Sequence, residues 1–599
     1  MQKQPPPPAW VDQLKKAAAP RTTVDVARID ADASLLPYQL EAVKFAKSRG
    51  GRILLTDEMG LGKTAQALTL MRQYPKDWPL LVLAPKAVLT QWELETRRWI
   101  APTLVIQIAR EGKKTVTRQK VKQTIETTWN SNSDVCICTY DIFKNNKELR
   151  KCPKGGTWRC VILDESHKCK NPDAERTKAI MPVVERADRV ALLTGTPMSN
   201  GANDIWPQLK MVIPRAARQH LPNFWGWRQR YCECVQIHTP SGYVNTWRDV
   251  KPEYSAELHD LLYAVQMRRY KKDVLKQLPK KRRHKLYLEA KPGIMGKANK
   301  LMQQFKALPK QGDDVLAADQ EPTHKVMELF TDTAVLGVEP CVEWIKETFF
   351  EEKKDDRKIL VFAHHQKVLD KLEATLKANL NKGDTMIRID GKVPGAQRDA
   401  RVARFKTDKA CRVALLSLGT CSTGLTLTEA SNVLFAEMIW SPKEMEQAED
   451  RVHRLSQTKA CDVYYSMLPG TLDECIFSRL QSKSAMIRAV VDGPGAPKPP
   501  PARPMQGLVT PTKPPAAARV KPAAPVTPPV VVDLTEDFED AADDDDEPID
   551  LTQDAAAPPA APALPVVTPA ETKKRPREPD SDDDSVLGYD SGFGKKARG

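Results

Sequence analysis

Asp57-Glu58-Met59-Gly60-Leu61-Gly62-Lys63-Thr64 stands between an apolar run, RILLT, and AQALTLMRQ, whose spacing predicts a helix. A glycine-rich turn that opens a helix after a strand aims backbone N–H groups at phosphate, and the helix dipole adds to the attraction. In such a loop Lys63 reaches the β- and γ-phosphates and Thr64 holds Mg²⁺. The strict pattern has glycine where this chain has Asp57. All eight residues, Asp57 to Thr64, are the expected phosphate-binding set.

About 100 residues on, VILDESH places Asp164 and Glu165 at the end of another apolar run. Phosphoryl transfer needs one carboxylate for the metal and one to polarise the attacking water. Asp164 is assigned to the metal and Glu165 to the water. Working outward, LLVLAP, VCICTY and RVALLTGTP complete a first series of near-continuous apolar runs. A second series begins near Lys358 with KILVFAHH, MIRIDG, RVALLS, NVLFAE and DVYYSML. Such runs suit strands buried on both faces, and so parallel sheets covered by helices. The chain therefore divides into a flexible lead-in (1–33), a first α/β lobe (34–280) with a helical insertion after about residue 200, a helical linker (281–357), a second α/β lobe (358–492) and a disordered Pro/Ala/acidic tail (493–599). In the insertion, NFWGWRQRY (Asn223–Tyr231) is either a helical core or a stacking wedge for exposed bases.

The phosphate loop, the DESH box and TGTP (Thr194–Pro197) resemble motifs I, II and III of the Swi/Snf-type ATPases of helicase superfamily two. LPYQ (Leu36–Gln39) resembles the family's upstream segment, in which Gln39 would read adenine. Met267–Arg283 resembles its arginine-lysine element between lobes. Ser417, Gly424, Leu425 and Thr426 resemble motif V, and Gln447–Gln457 resembles motif VI, with Ser456 where the family usually has glycine. The resemblance covers about Leu35 to Leu480. It implies two RecA-like lobes, ATP and Mg²⁺ as cofactors, Gly424 and Gln447 at the nucleotide, and Arg451 and Arg454 as arginine fingers. These two would share a face if their segment is helical. Thr194 and Thr196 would couple nucleotide state to lobe contact. Duplex or forked DNA is the implied partner. The second-lobe runs VFAHHQKVLD, MIRIDG and VLFAEMIWSP through RVHRLSQT resemble the annealing-helicase, HARP-like branch. That branch's accessory recognition domain has no evident counterpart in the first 33 residues.

Charge fits a polyanionic partner. The chain carries a net +15, yet residues 493–599 hold 12 basic and 19 acidic residues, a net of −7, which leaves +22 on the rest. The 12 cysteines form no CxxC pair, which argues against a zinc site and fits a reducing compartment. No apolar stretch reaches the ~20 residues a membrane span needs. The sequence thus predicts a soluble intracellular motor, monomeric, nuclear or at viral replication sites. In the tail, Val530, Val531, Val532 and Leu534 resemble a SUMO-interacting motif, which adds a strand to a partner's sheet edge. Lys573–Arg577 reads either as a nuclear-import signal or as a counter-charge within the tail. Two alternatives stay open: an RNA helicase of the same superfamily, and a non-enzymatic scaffold that binds DNA and SUMO.

Overall fold

The computed structural model describes residues 7–20, 29–30, 34–117, 120–125, 128–198, 201–239, 242–248, 250–308, 324–351, 356–419, 426–439, 441–454, 456–492 and 531–533. Two seven-stranded sheets organise them.

The first sheet runs, in spatial order, Gln266–Met267, Arg52–Leu55, Arg189–Leu193, Cys160–Asp164, Leu80–Leu83, Val135–Cys138 and Ile106–Ala109. Every pairing is parallel. Strands such as LLVL and VCIC are buried along their whole length because helices cover both faces. One face packs Val43, Leu68 and Trp92; the other packs Phe143, Trp158, Ile180 and Leu209. The second sheet runs Thr385–Ile389, Cys411–Ser417, Ile359–Ala363, Asn432–Phe435, Cys461–Met467 and Lys281–Tyr287, all parallel, and ends with Val531–Asp533 antiparallel. It too is covered on both faces, around Phe362 and Phe435 on one side and Val361 and Leu415 on the other. Two parallel-sheet lobes are therefore the architecture.

Three segments depart from the sequence reading. The lead-in contains a helix, Ala9–Ala18, which buries Val11, Leu14 and Ala18 against the first lobe, so it is not flexible throughout. The middle segment opens with a strand, Lys281–Tyr287, inside the second sheet. Its charged residues are tolerated there because acidic partners meet them: Arg283 reaches Glu449, and His284 reaches Asp462 at 2.9 Å. The insertion carries an antiparallel hairpin, Glu233–Thr239 with Gly242–Arg248, besides its helices. In its helix Phe224–Tyr231, Trp227 is core and donates to Ala202 O, whereas Trp225 is 60% exposed. Apart from Val531–Asp533, the tail lies outside the described residues, as do Val530, Leu534 and Lys573–Arg577. Among the described residues no helix is long and apolar enough to cross a membrane.

Candidate nucleotide site between the two lobes

The central strand Arg52–Leu55 leads into the phosphate loop, and the helix Lys63–Arg72 leaves it. Gly60 and Gly62 hold φ of 90° and 74°, the left-handed region that favours glycine. Space also demands glycine at 62, because a Cβ there would lie 2.3 Å from the Gln39 side-chain nitrogen. Gln39 is thus packed on the loop. Its Nε2 donates to Leu61 O at 3.1 Å, and its Oε1 accepts from Leu36 N at 3.0 Å. Lys63 Nζ donates to the carbonyls of Asp57 (2.6 Å) and Glu58 (3.2 Å). Burial pushes its pKa down, opposed by Asp57, Glu165, Asp164 and Asp450. Thr64 lies half-buried in the helix's first turn.

Asp57, the departure from the strict motif, is fully buried and has a clear job. Its carboxylate receives Arg269 Nη2 at 2.6 Å and Gln66 Nε2 at 3.1 Å. Glu58 accepts from Lys271 N at 2.6 Å. The loop is therefore anchored by the segment that leads to the second lobe.

Asp164 ends the strand Cys160–Asp164. Trp92 Nε1 donates to its Oδ2 at 2.8 Å, and Tyr140 Oη donates to its main-chain oxygen at 2.6 Å. Burial and the Glu165 charge push the Asp164 carboxyl up, against the pull of Trp92 and Lys63. Glu165 has φ of 56°, the one positive φ of a non-glycine among the described residues. Such strain persists where the surroundings over-determine it, commonly at functional sites. Burial would raise its carboxyl, yet His167, Lys443 and Lys63 outweigh burial and hold it low. Glu165 Oε2 lies 3.2 Å from His167 Nδ1, which also lies 3.0 Å from Thr194 Oγ1. His167 Nε2 meets Lys443 from the second lobe. Burial lowers His167, with Lys443 adding to the effect, and burial lowers Lys443 to about 8.

The TGTP turn lies directly on the phosphate loop. A Cβ on Gly195 would meet Met59 Cγ at 3.0 Å and Lys63 Nζ at 4.0 Å. Thr194 Oγ1 accepts from Thr196 N at 3.1 Å, and Thr196 Oγ1 is buried without a hydrogen-bond partner.

On the second lobe, the helix Pro442–Glu449 stops before the two arginines. Residues 450–454 form turns, so the arginines are not three apart on a helix. They are brought together all the same: burial lowers Arg454 to about 10, with the neighbouring Arg451 charge adding to it. Arg454 donates to Asp450 O at 3.0 Å and to Thr426 Oγ1. Arg451 is buried. A Cβ on Gly60 would lie 4.0 Å from Arg454 Cγ and 3.4 Å from Lys271 Cε. The phosphate loop and the second-lobe turn are thus in van der Waals reach. Gln447 is buried on the helix Pro442–Glu449, and Gly424 lies outside the described residues.

Sequence reasoning missed the seam that holds these faces together. Lys271 Nζ donates to Asp450 Oδ1 and His453 O, both at 2.8 Å, and lies 3.7 Å from Glu58 Oε1. Arg268 pairs with Asp492 at 2.5 Å across the same seam, and within the second lobe Lys281 and Arg283 brace Glu449 at 2.9 Å and 2.7 Å. The signal was present in the resemblance of Met267–Arg283 to an interlobe element, but not which residue met which.

The donor set fits a magnesium nucleotide. A glycine cradle opens a helix N-terminus beside a lysine, which suits phosphate. Thr64 and Asp164 offer hard oxygen donors, the type Mg²⁺ takes one or two at a time while phosphates and waters complete its shell. Among the described residues no group of three or more His, Cys, Asp or Glu could hold a metal ion by itself.

The chain matches known families and proteins in sequence. A family model described as SNF2-related domain matches residues 38–321, and one described as helicase conserved C-terminal domain matches 341–456. The chain is 32% identical over 460 residues to the Mus musculus DNA annealing helicase and endonuclease ZRANB3, covering 77% of this chain and 41% of that protein. It is 34% identical over 479 residues to the Caenorhabditis elegans homolog of SWI/SNF-related matrix-associated actin-dependent regulator of chromatin subfamily A-like protein 1, covering 78% of this chain and 64% of that protein. The chain thus spans less than half of the first relative and under two thirds of the second. Among solved structures, the Sulfolobus solfataricus SWI2/SNF2 ATPase core in complex with dsDNA is 22% identical, with a TM-score of 0.34 over 78% of this chain and 94% of that one.

Proposed function

The chain belongs to the SNF2-related (Swi/Snf) family of helicase-type proteins, with relatives in its annealing-helicase branch, and from that premise we propose that it is an ATP-hydrolysing motor that moves along double-stranded DNA. The observation that carries this reading is the approach of Arg454 and Lys271 to Gly60, which makes one site from two lobes. The lobes proposed are residues 34–280 and 358–492, the second completed by the strand Lys281–Tyr287 from the middle segment, with 493–599 as a tail.

ATP with Mg²⁺ supplies the transferable phosphoryl group and the cation that neutralises its charge. The chain's own residues do the rest. The backbone of Asp57–Thr64 and the Lys63 ammonium bind the phosphates, and Gln39 reads the base. Thr64 and Asp164 hold the metal. Glu165 polarises the attacking water. Arg451 and Arg454 offer guanidinium groups to charge that builds up in the transition state, the role that arginine fingers fill. Gln447 and Gly424 are proposed as further nucleotide contacts, and Thr194 and Thr196 report nucleotide state to the lobe contact.

Closing and reopening of the cleft moves the lobes along a strand. DNA binding is sequence-independent and steeply salt-sensitive, since basic residues on phosphates release counterions. Remodelling or reannealing at replication forks is the specialised role proposed, on the strength of a relative named as an annealing helicase. Nuclear import through Lys573–Arg577 and capture of the tail by SUMO or sumoylated proteins are proposed with it. Val531–Asp533 already behaves as an added strand, pairing antiparallel with His284–Leu286. A partner that captures the same strand must first release it from that edge.

The test is ATP turnover by the full chain on duplex DNA, forked DNA, single-stranded DNA and RNA. Duplex and forked DNA are expected to stimulate most. Stimulation by RNA alone would favour the RNA-helicase alternative. Tethering of DNA that survives Lys63→Ala, without turnover in the parent chain, would favour the scaffold.

A further inference from the structure

Lys443 is an odd residue for its place. It lies in the first turn of the helix Pro442–Glu449, where the helix dipole disfavours a cation. Lys168 and Lys170 face it as further positive charges, with Glu444 on its own helix as a weak counterweight. The group whose charge most favours the Lys443 ammonium is Glu165, on the other lobe. Between them stands His167, with Lys443 on its Nε2 and Glu165 and Thr194 on its Nδ1.

The hydrogen-bond logic of this chain has one solution. An ammonium only donates, so His167 Nε2 must accept. In a neutral imidazole the other nitrogen then carries the proton, so Nδ1–H donates to Thr194 Oγ1 and turns its positive end toward the buried Glu165 Oε2, 3.2 Å away. A cation from the second lobe therefore fixes which face of His167 the first lobe's carboxylate sees. With the protonated nitrogen rather than a lone pair turned to it, Glu165 Oε2 is held beside His167 by electrostatic attraction, which leaves Oε1 for water.

We infer that Lys443 is a positioning residue that, when the lobes meet, sets the tautomer of His167 and through it the orientation of Glu165, so that lobe closure governs hydrolysis rather than nucleotide binding. This rests on the proposed ATPase reading. It goes beyond it by naming the second-lobe side chain that tells the first lobe's carboxylate that the cleft has closed.

The experiment compares the full chain with its Lys443→Met and Lys443→Arg variants, measuring kcat and KM for ATP with saturating duplex DNA. Lysine acylation is followed by mass spectrometry on the parent chain and on His167→Ala, without nucleotide. For Lys443→Met, kcat should fall about tenfold with KM within about twofold, the signature of an interaction that matters after binding. Lys443→Arg, which keeps a donor for Nε2, should recover most of the loss. In the parent chain Lys443 should acylate far more slowly than Lys151, whose side chain is 72% exposed, and faster in His167→Ala.

Unchanged kcat in Lys443→Met would overturn the inference. So would a loss that Lys443→Arg does not recover. Acylation of Lys443 as fast as Lys151 would overturn it even if no turnover could be measured. An inactive parent chain with a protected Lys443 would count against the ATPase reading while supporting the contact.

Discussion

The two faces of the cleft are built on similar sheets but handle charge in opposite ways. On the first lobe the charged groups are poised. Lys63 hangs on main-chain carbonyls, Asp164 is raised by burial and by its neighbour, and Glu165 sits in a left-handed conformation. On the second lobe the carboxylates are neutralised. Glu449 is paired with Arg283 and Lys281, and Asp450 with Lys271 and Lys281. Against the pull of burial, Glu449 and Asp450 are each held low by two cations, and they make a rigid frame. The difference teaches a division of labour: the first lobe carries the reactive groups, and the second fixes where its arginines stand.

Removing a reactive group should have the largest effect. Lys63→Ala should lower DNA-stimulated ATP turnover by at least about a thousandfold, as expected when phosphoryl transfer loses a phosphate-binding cation. Turnover within about tenfold of the parent chain would show that the first face is not the reactive one.

Breaking the frame should cost stability before chemistry. Lys271 and Asp450 have side chains only 3% and 6% exposed. Lys271→Met leaves Asp450 with a weaker set of partners in a buried place, a loss of about 3–5 kcal/mol for a broken buried pair. A lower denaturant midpoint checks it. Adding Asp450→Asn should restore part of the loss, because the two residues share one interaction. An unchanged midpoint would make the seam dispensable.

The loop glycine sharpens the contrast at smaller scale. Gly62→Ala places a Cβ against Gln39 and asks alanine to hold φ of 74°. It should weaken binding of a fluorescent ATP analogue severalfold and leave the ion pairs of the second lobe intact.

The smallest effect concerns pH. Burial, with the charges of Lys281 and Lys271, pushes His453 down to about 4, while an unfolded histidine titrates near about 6.5. Between those values the unfolded chain takes up a proton that the folded one does not. Stability therefore falls as pH drops from about 6.5 towards 4. His453→Gln should flatten that part of the profile, as read from unfolding midpoints at pH 7, 6 and 5.

What the sequence disclosed, and what it hid, follows from range. Strands such as VCIC and ILVFA were legible because burial on both faces leaves a continuous apolar run. The phosphate loop and DESH were legible because each is a local pattern with one chemical purpose. The seam was not, since Lys271 and Asp450 lie 179 residues apart and nothing local pairs them. Lys281–Tyr287 is a strand despite its charges because its partners come from residues 449–462. Ala9–Ala18 was hidden by the prolines before it, although Val11, Leu14 and Ala18 are spaced for one helical face. Asp57 looked like a blemish in a motif until Arg269 gave it a role.

The central claim is that one ATP site is shared across the cleft, and Arg454 tests it most directly. Nucleotide affinity and DNA-stimulated turnover should be measured on Arg454→Ala and on the parent chain. The shared-site account predicts affinity within a few-fold and turnover lower by about a hundredfold or more. Turnover equal to the parent chain would contradict it, leaving the first lobe to act alone.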